Sequence, residues 1–327
     1  ILRKIHAIDI VFIHDLRSGA FIEGGKNIPL LVVQFLYTIF DPVGNIGAEQ
    51  QAFTVFQEEG LALPETYEEL CQVSEEILRR GKVPFLFADK EGWTIHQNWE
   101  CIEGATRGNF EEFWTDVAEG RTSFTEDEVC RRSLEKLIEL HQYSTEEYSN
   151  LNYNEALAKF AEGEGFMLIQ GSWAYRNLMN MNPEMNLELI PFPVEEGTQQ
   201  LVTMWIDSSI GISSDCKYRK EAEKFVEFLM QPENLQTYLN KESSLSSLKN
   251  SQNRAKYAPR IHELLEHGHA VMDASWLPLQ TSVIRDIDIQ ELMPDADSAQ
   301  VEAYLDKYTR SLQKHKDLYL EAKEKRQ

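Results

Sequence analysis

Apolar positions recur at helical spacing along most of the chain, and short apolar runs separate the helices. Thr66 and Glu69 have the S/T-x-x-E form of a capping box, and Tyr67, Leu70, Val73 and Ile77 follow three and four apart. That spacing predicts a helix ending at Gly81, and Val83 to Phe87 then reads as a short buried strand. A second helix is expected from about Glu126 to His141, with Val129, Leu134, Leu137 and Ile138 inward. Asn152 is placed to cap a third, which carries Tyr153, Ala156, Leu157 and Phe160 on its inner face and stops at Gly163. Phe166 to Ile169 is a buried strand, Gly171-Ser172 a tight turn, and Trp173 to Met179 a helix. Leu187 to Ile190 and Ser209 to Ile212 are further strands. Two helices follow, one with Ala222, Phe225, Val226 and Leu229 on one face, the next starting at Pro232 with Leu235, Tyr238 and Leu239. The last helix carries Val301, Tyr304, Leu305, Tyr308 and Leu312. Residues 1–60 are less regular: Ile8 to Ile13 fits a strand, Gly24 to Asn27 a turn, and Pro29 to Phe40 is a long apolar run. Strands alternating with helices argue for an α/β fold.

The 327 residues are enough for two domains of ordinary size. No run approaches the roughly 18 apolar residues of a membrane helix, so a soluble globular protein is expected. With 54 acidic and 32 basic residues the net charge is −22, which repels phosphate backbones and argues against nucleic acid as a partner. The four cysteines, Cys71, Cys101, Cys130 and Cys216, form no C-x-x-C pair and have no metal-ligand spacing. Buried free thiols are the expectation, with a single disulfide left open. Enzyme signatures are weak. His262 and His267 flank a Glu-Leu-Leu-Glu run but are five residues apart, about 140° around a helix, so they cannot share a face as zinc ligands do. No carboxylate pair stands out as a glycosidase acid and nucleophile, and there is no G-x-S-x-G, phosphate-cradling loop or dinucleotide fingerprint. No cofactor and no metal are expected.

Five segments in order carry a resemblance. They are Phe56 to Leu61 with Pro64 to Leu70, then Phe160-Ala-Glu-Gly163 with Gly165-Phe-Met-Leu-Ile-Gln-Gly-Ser-Trp173, Pro191-Phe-Pro193, Ile210-Gly-Ile-Ser213, and Glu221-Ala222 to Pro232-Glu233. Over about 190 residues the chain resembles the extracellular solute-binding proteins of ABC transporters, the family that includes the maltose-binding protein. Beyond Ala270 the likeness rests on Trp276 and the terminal amphipathic helix; before Phe56 it rests on Gly25-Lys26 with Ile28-Pro29. The resemblance implies a two-lobed periplasmic-binding-protein-like fold (type II), with a hinge and an interlobe cleft. The first lobe would hold residues 1–38 and 204–268 and lack the family's opening strand, helix and strand. The second would hold 39–203 and 269–327. The implied function is capture of a carbohydrate by hinge closure and delivery to the membrane permease subunits of an ABC importer, by a monomer that does no chemistry. Its expected location is extracytoplasmic, in the periplasm or as a cell-surface lipoprotein, with a secretory signal upstream of Ile1 in the precursor. The alternatives are a binding protein for a polyamine or organic anion, or a carbohydrate-active hydrolase.

A sugar offers hydroxyls at its rim and polarised C–H patches on its faces, so its site needs flat aromatic platforms and a few fixed polar groups. Trp173 lies where a strand gives way to a helix, which is where open α/β sheets bind ligands. Trp93 lies in a polar stretch, Asp89 to Asn98, that reads as a loop after a buried strand. The resemblance implies a sugar-stacking aromatic at Trp173, a ligand-facing aromatic at Trp93 and a hydroxyl-binding carboxylate at Glu91. It also implies that Trp205 and Asp207 fall on the second crossing between lobes, and that Trp276 matches a C-terminal ligand aromatic. Trp99 and Trp114 are spaced as inner faces of helices and are expected in the core.

Overall fold

A computed structural model describes residues 10–14, 49–54, 60–145, 147, 151–204, 208–213, 216–242, 257–272 and 287–324. The expected turn at 24–27 and the apolar run at 29–40 lie outside these residues. The first elements are β1 (Ile10–His14), β2 (Glu49–Thr54), α1 (Tyr67–Arg79), β3 (Val83–Phe85), α2 (Gly92–Gly104), α3 (Phe110–Ala118) and α4 (Glu128–His141). There follow α5 (Tyr153–Ala161), β4 (Gly165–Gly171), α6 (Trp173–Met181), β5 (Glu188–Ile190), β6 (Val202–Met204) and β7 (Ser208–Ile212). The chain continues through α7 (Arg219–Leu229), α8 (Pro232–Glu242), α9 (Pro259–Glu266), β8 (Ala270–Met272), α10 (Ser298–Lys314) and α11 (Lys316–Glu324).

Local sequence explains several boundaries. Thr66 and Glu69 close a complete capping box on α1, and Asn152 and Glu155 do the same for α5, each satisfying first-turn N–H groups that the helix leaves over. Gly81 and Gly163 follow those helices in the left-handed region, at φ 71° and 83°, where a Cβ would be strained. α3 is the helix expected around Trp114, whose bounds the sequence reading left open; Asn109 caps it and Phe110, Phe113, Trp114 and Val117 lie on its buried face.

Six strands form the larger sheet in the order β3-β4-β2-β6-β8, with β5 also paired to β2. β3 runs parallel to β4, with Phe85 opposite Met167. β2 runs antiparallel to both β4 and β6, with Gln50 opposite Gly171 and Glu49 opposite Met204. β6 and β8 are again parallel, with Met204 opposite Met272. Five strands, β3, β4, β5, β6 and β8, therefore point the same way, opposite to β2, and their carboxyl ends open at one end of the sheet. A separate antiparallel pair joins β1 to β7, Ile10 opposite Ile212.

One core contains the inner residues of α1 to α4 and α10 with Phe85, Met167 and Ile169; a second contains those of α5, α6 and α9 with Leu168, Leu189 and Val202. Trp99 and Trp114 are buried in the first, as expected, and Trp99 Nε1 donates to Ser133 Oγ at 2.8 Å. Tyr257, Ala258 and Ile261 join the second core, which sets 257–266 against the larger sheet.

The stretch Asp89 to Asn98, expected as a polar loop, is a short turn followed by α2, and residues 94–104 are all buried. Several of the polar side chains are kept from water by partners inside the protein. Thr94 Oγ1 donates to the carbonyl of Ala88 at 2.6 Å, and the amide of Asn98, in its hydrogen-bonded orientation, donates to the carbonyls of Ile169 and Thr94. At the other end Glu103 receives Arg107 Nε at 2.5 Å, and Arg107 also reaches Asp127 and lies 3.9 Å over the ring of Phe113.

Candidate functional site

The turns that leave the shared carboxyl end of the sheet carry the candidate residues. Glu91 and Trp93 follow β3, and Trp173 follows β4 directly; because β3 and β4 are adjacent and parallel, both turns emerge at the same end. Trp205 and Asp207 come immediately after β6, and Trp276 four residues after β8, but these three lie outside the described residues. The described candidates are thus Glu91, Trp93 and Trp173, all half-buried.

Trp173 is the first residue of α6. Its N-cap, Ser172, is already in helical conformation and makes no side-chain cap bond. The indole packs against the second core and folds back over Gly171: a Cβ there would overlap Cζ3, Cε3 and Cη2 of Trp173. Gly171 is needed for this close approach. The sequence signal was read as a turn that needs backbone freedom, whereas the glycine ends β4 in ladder register with Gln50.

Glu91 and Trp93 meet the start of α5. The Glu91 carboxylate accepts from the backbone N–H of Tyr153 at 2.7 Å, and the rings of Trp93 and Tyr153 lie 5.3 Å apart at 55°. Glu91 therefore works as a carboxylate at a helix N-terminus, where negative charge is favoured. The turn before it is tied down on several sides. Lys90 N donates to Leu151 O at 3.1 Å, the amide of Gln290 donates to the carbonyl of Asp89, and Asp89 Oδ2 lies 3.0 Å from Nε2 of buried His141. His141 stacks on Phe87 at 3.9 Å, so strand and turn are braced as one unit. Such bracing holds Trp93 in a fixed orientation, which lowers the ordering cost of any ligand laid against it.

Sequence reasoning missed two participants. Tyr153 packs against the second core, as its place on the inner face of the helix predicts, and its half-buried ring also meets Trp93, a contact the spacing does not show. Gln97 lies four residues after Trp93, on the same face of α2, and is completely buried. The i,i+4 spacing would have marked it had the stretch been read as helix. Among the described residues no group of His, Cys, Asp and Glu is arranged to hold a metal ion, and no helix is long and apolar enough to cross a membrane. The four cysteines are free; Cys101 and Cys130 are buried, Cys71 and Cys216 half-buried.

The carboxyl end of the parallel strands of an α/β sheet is where such sheets bind ligands, and Trp93 and Trp173 lie there. Residues 52–262 match the model of the bacterial extracellular solute-binding protein family, and the chain belongs to that family. It is 27% identical over 200 residues to the multiple sugar-binding protein of Streptococcus mutans, an alignment covering 60% of this chain and 48% of that one; the chain thus spans about half the length of that relative. Among solved structures, a chitin oligosaccharide binding protein aligns with a TM-score of 0.70 and 20% identity, over 88% of this chain and 78% of that one. A sugar transporter protein of Bacillus licheniformis in complex with stachyose aligns with a TM-score of 0.67 and 17% identity, over 93% and 85%. The two-lobed α/β fold expected from the sequence is the fold of these structures.

Proposed function

We infer that this chain is the ligand-trapping component of an ABC importer and that its ligand is a neutral carbohydrate. The observation that carries the reading is the pair of half-buried tryptophans, Trp93 and Trp173, on neighbouring turns at the carboxyl end of the larger sheet. Indole faces suit the C–H patches of a sugar ring. The names of the relatives, a multiple sugar-binding protein and proteins of chitin oligosaccharide and stachyose, support the same ligand class. Trp205 and Asp207, which follow β6 in the chain, and Trp276, which follows β8, are assigned to the same site. In this reading β1 and β7 belong to one lobe and the larger sheet to the other, with 257–266 on the side of the larger sheet. A ligand that bridges both lobes stabilises the closed form relative to the open one. The closed monomer then docks on the permease at the outer membrane face, and no bond is made or broken in the chain.

A thermal-shift screen over mono- and oligosaccharides tests the proposal. At a hundred times its dissociation constant a ligand adds roughly 2.7 kcal/mol to stability, an easily read shift. A response to spermidine or an organic anion with none to any sugar would overturn the ligand class; the net charge of −22 makes the cation the sharper control. A labelled oligosaccharide recovered cleaved would replace the transport reading with a hydrolase.

A further inference from the structure

Gln97 is 0% exposed, and neither its amide nitrogen nor its amide oxygen has a hydrogen-bond partner among the described residues. The neighbours along α2 differ: Thr94, Asn98, Trp99 and Glu103 each reach a partner in the protein. Leaving a buried donor and a buried acceptor unmet on one side chain is among the costlier features a fold can keep, and such groups call for a function or a bound polar molecule. Position supplies the function. Gln97 is four residues from Trp93 on one face of α2, and Gly104, seven further on, lies against Thr203 of β6, so this face looks toward the sheet. At the turn leading into the helix, Asp89 is 3% exposed and its Oδ1 is likewise without a partner among the described residues.

We propose that Gln97 is a specificity-determining residue that reads a pair of neighbouring hydroxyls on a sugar seated against Trp93. A primary amide offers a donor and an acceptor side by side, and a vicinal diol offers the complement, since each hydroxyl both donates and accepts. A site built to hydrogen-bond a hydroxyl rejects the analogue lacking it strongly, because its own buried groups are then left unpaired. The inference rests on the carbohydrate reading above and narrows it to one residue.

The experiment uses the whole chain and the best-binding sugar of the screen, together with its monodeoxy and epimeric analogues. Gln97→Met keeps the length of the side chain and removes both polar atoms. Calorimetric titration should show at least a tenfold weaker affinity for the parent sugar. The wild type's preference over one deoxy analogue should disappear, while the unfolding midpoint of the ligand-free variant holds or rises. Gln97→Asn keeps the amide and withdraws it by one methylene, so it should also lose discrimination, and it serves if the Met variant does not fold. Unchanged affinity and unchanged discrimination in either folded variant overturn the assignment and leave a buried, water-satisfied glutamine. If no sugar binds the wild type, the carbohydrate reading falls and takes this one with it; a wild type that binds and a variant that binds equally remove Gln97 alone.

Discussion

Adding a single methyl at Gly171 tests whether the indole of Trp173 is held against the end of β4. The Cβ of Gly171→Ala would overlap three atoms of the six-membered ring, where carbon atoms pack at roughly 3.5–4.0 Å. The ring must therefore retreat by roughly 2 Å, or the strand end must shift by a similar amount. Overpacking of this kind costs about 1–3 kcal/mol of stability. A displaced platform should also weaken sugar binding by about tenfold, or ~1.4 kcal/mol. Trp173→Ala should cost on the order of 2 kcal/mol of binding, about 30-fold, as an aromatic anchor does. The two substitutions share one clash, so on the Trp173→Ala background Gly171→Ala should cost less than ~0.5 kcal/mol of stability. Urea unfolding of the four proteins gives the stability cycle, and titration calorimetry gives the binding cycle. Strictly additive stability costs would show that the close approach does not constrain Gly171 in solution. A Trp173→Ala variant that loses about 3–5 kcal/mol of stability with intact affinity would make Trp173 a core residue and remove it from the site.

Three further outcomes follow from the interior. Arg107→Met leaves buried Glu103 and half-buried Asp127 without their shared cation, and chemical denaturation should show a loss of about 3–5 kcal/mol. Burial pushes the Cys101 and Cys130 thiols up, Cys130 further through the neighbouring Glu103 carboxylate, so neither should react with a thiol reagent at neutral pH until the protein unfolds. Burial raises the Glu195 carboxyl, but its hydrogen bond with Lys136 and the charges of Lys136 and Arg132 outweigh that and hold it below the usual range. A depressed carboxylate contributes stability that is present above its unfolded value and lost as pH falls through the folded one. Glu195→Gln should therefore flatten the acid limb of the stability profile while leaving its alkaline limb unchanged.

The elements best read from sequence are those that carry their own punctuation. α1 and α5 have capping boxes at one end and a left-handed glycine at the other, so local chemistry alone delimits them. α10 was visible through Val301, Tyr304, Leu305, Tyr308 and Leu312, all of which are buried. The strands that were missed, β2, β6 and β8, are the ones whose identity is tertiary. β6 and β8 have three residues each and no alternation long enough to register, and they are strands because their neighbours complete the ladder. β2 reads Glu-Gln-Gln-Ala-Phe-Thr, too polar for a central strand by pattern, yet it pairs with β4, β5 and β6.

The same confusion of polarity with exposure governed the site. Asp89 to Asn98 was read as a solvated loop because a run of Asp, Lys, Glu, Thr, His, Gln and Asn has no apolar face to bury. Polarity states that a side chain needs a partner; it does not state that the partner is water. Here the carbonyls of Ala88 and Ile169 and the N–H of Tyr153 supply what water would have, and a helix with many polar side chains sits between a sheet and two helices. The functional residues of such a segment are found by subtraction. Glu91, taken from sequence as a hydroxyl ligand, has its carboxylate on a helix N-terminus. Trp93 keeps one face on Tyr153. Gln97 alone in the helix interior has both ends of its amide unmet by the described residues, and helical spacing puts it beside Trp93. A ligand that brought hydroxyls to the indole would bring them to that amide as well, so the buried polarity that misled the reading of the fold is what selects the residue to test.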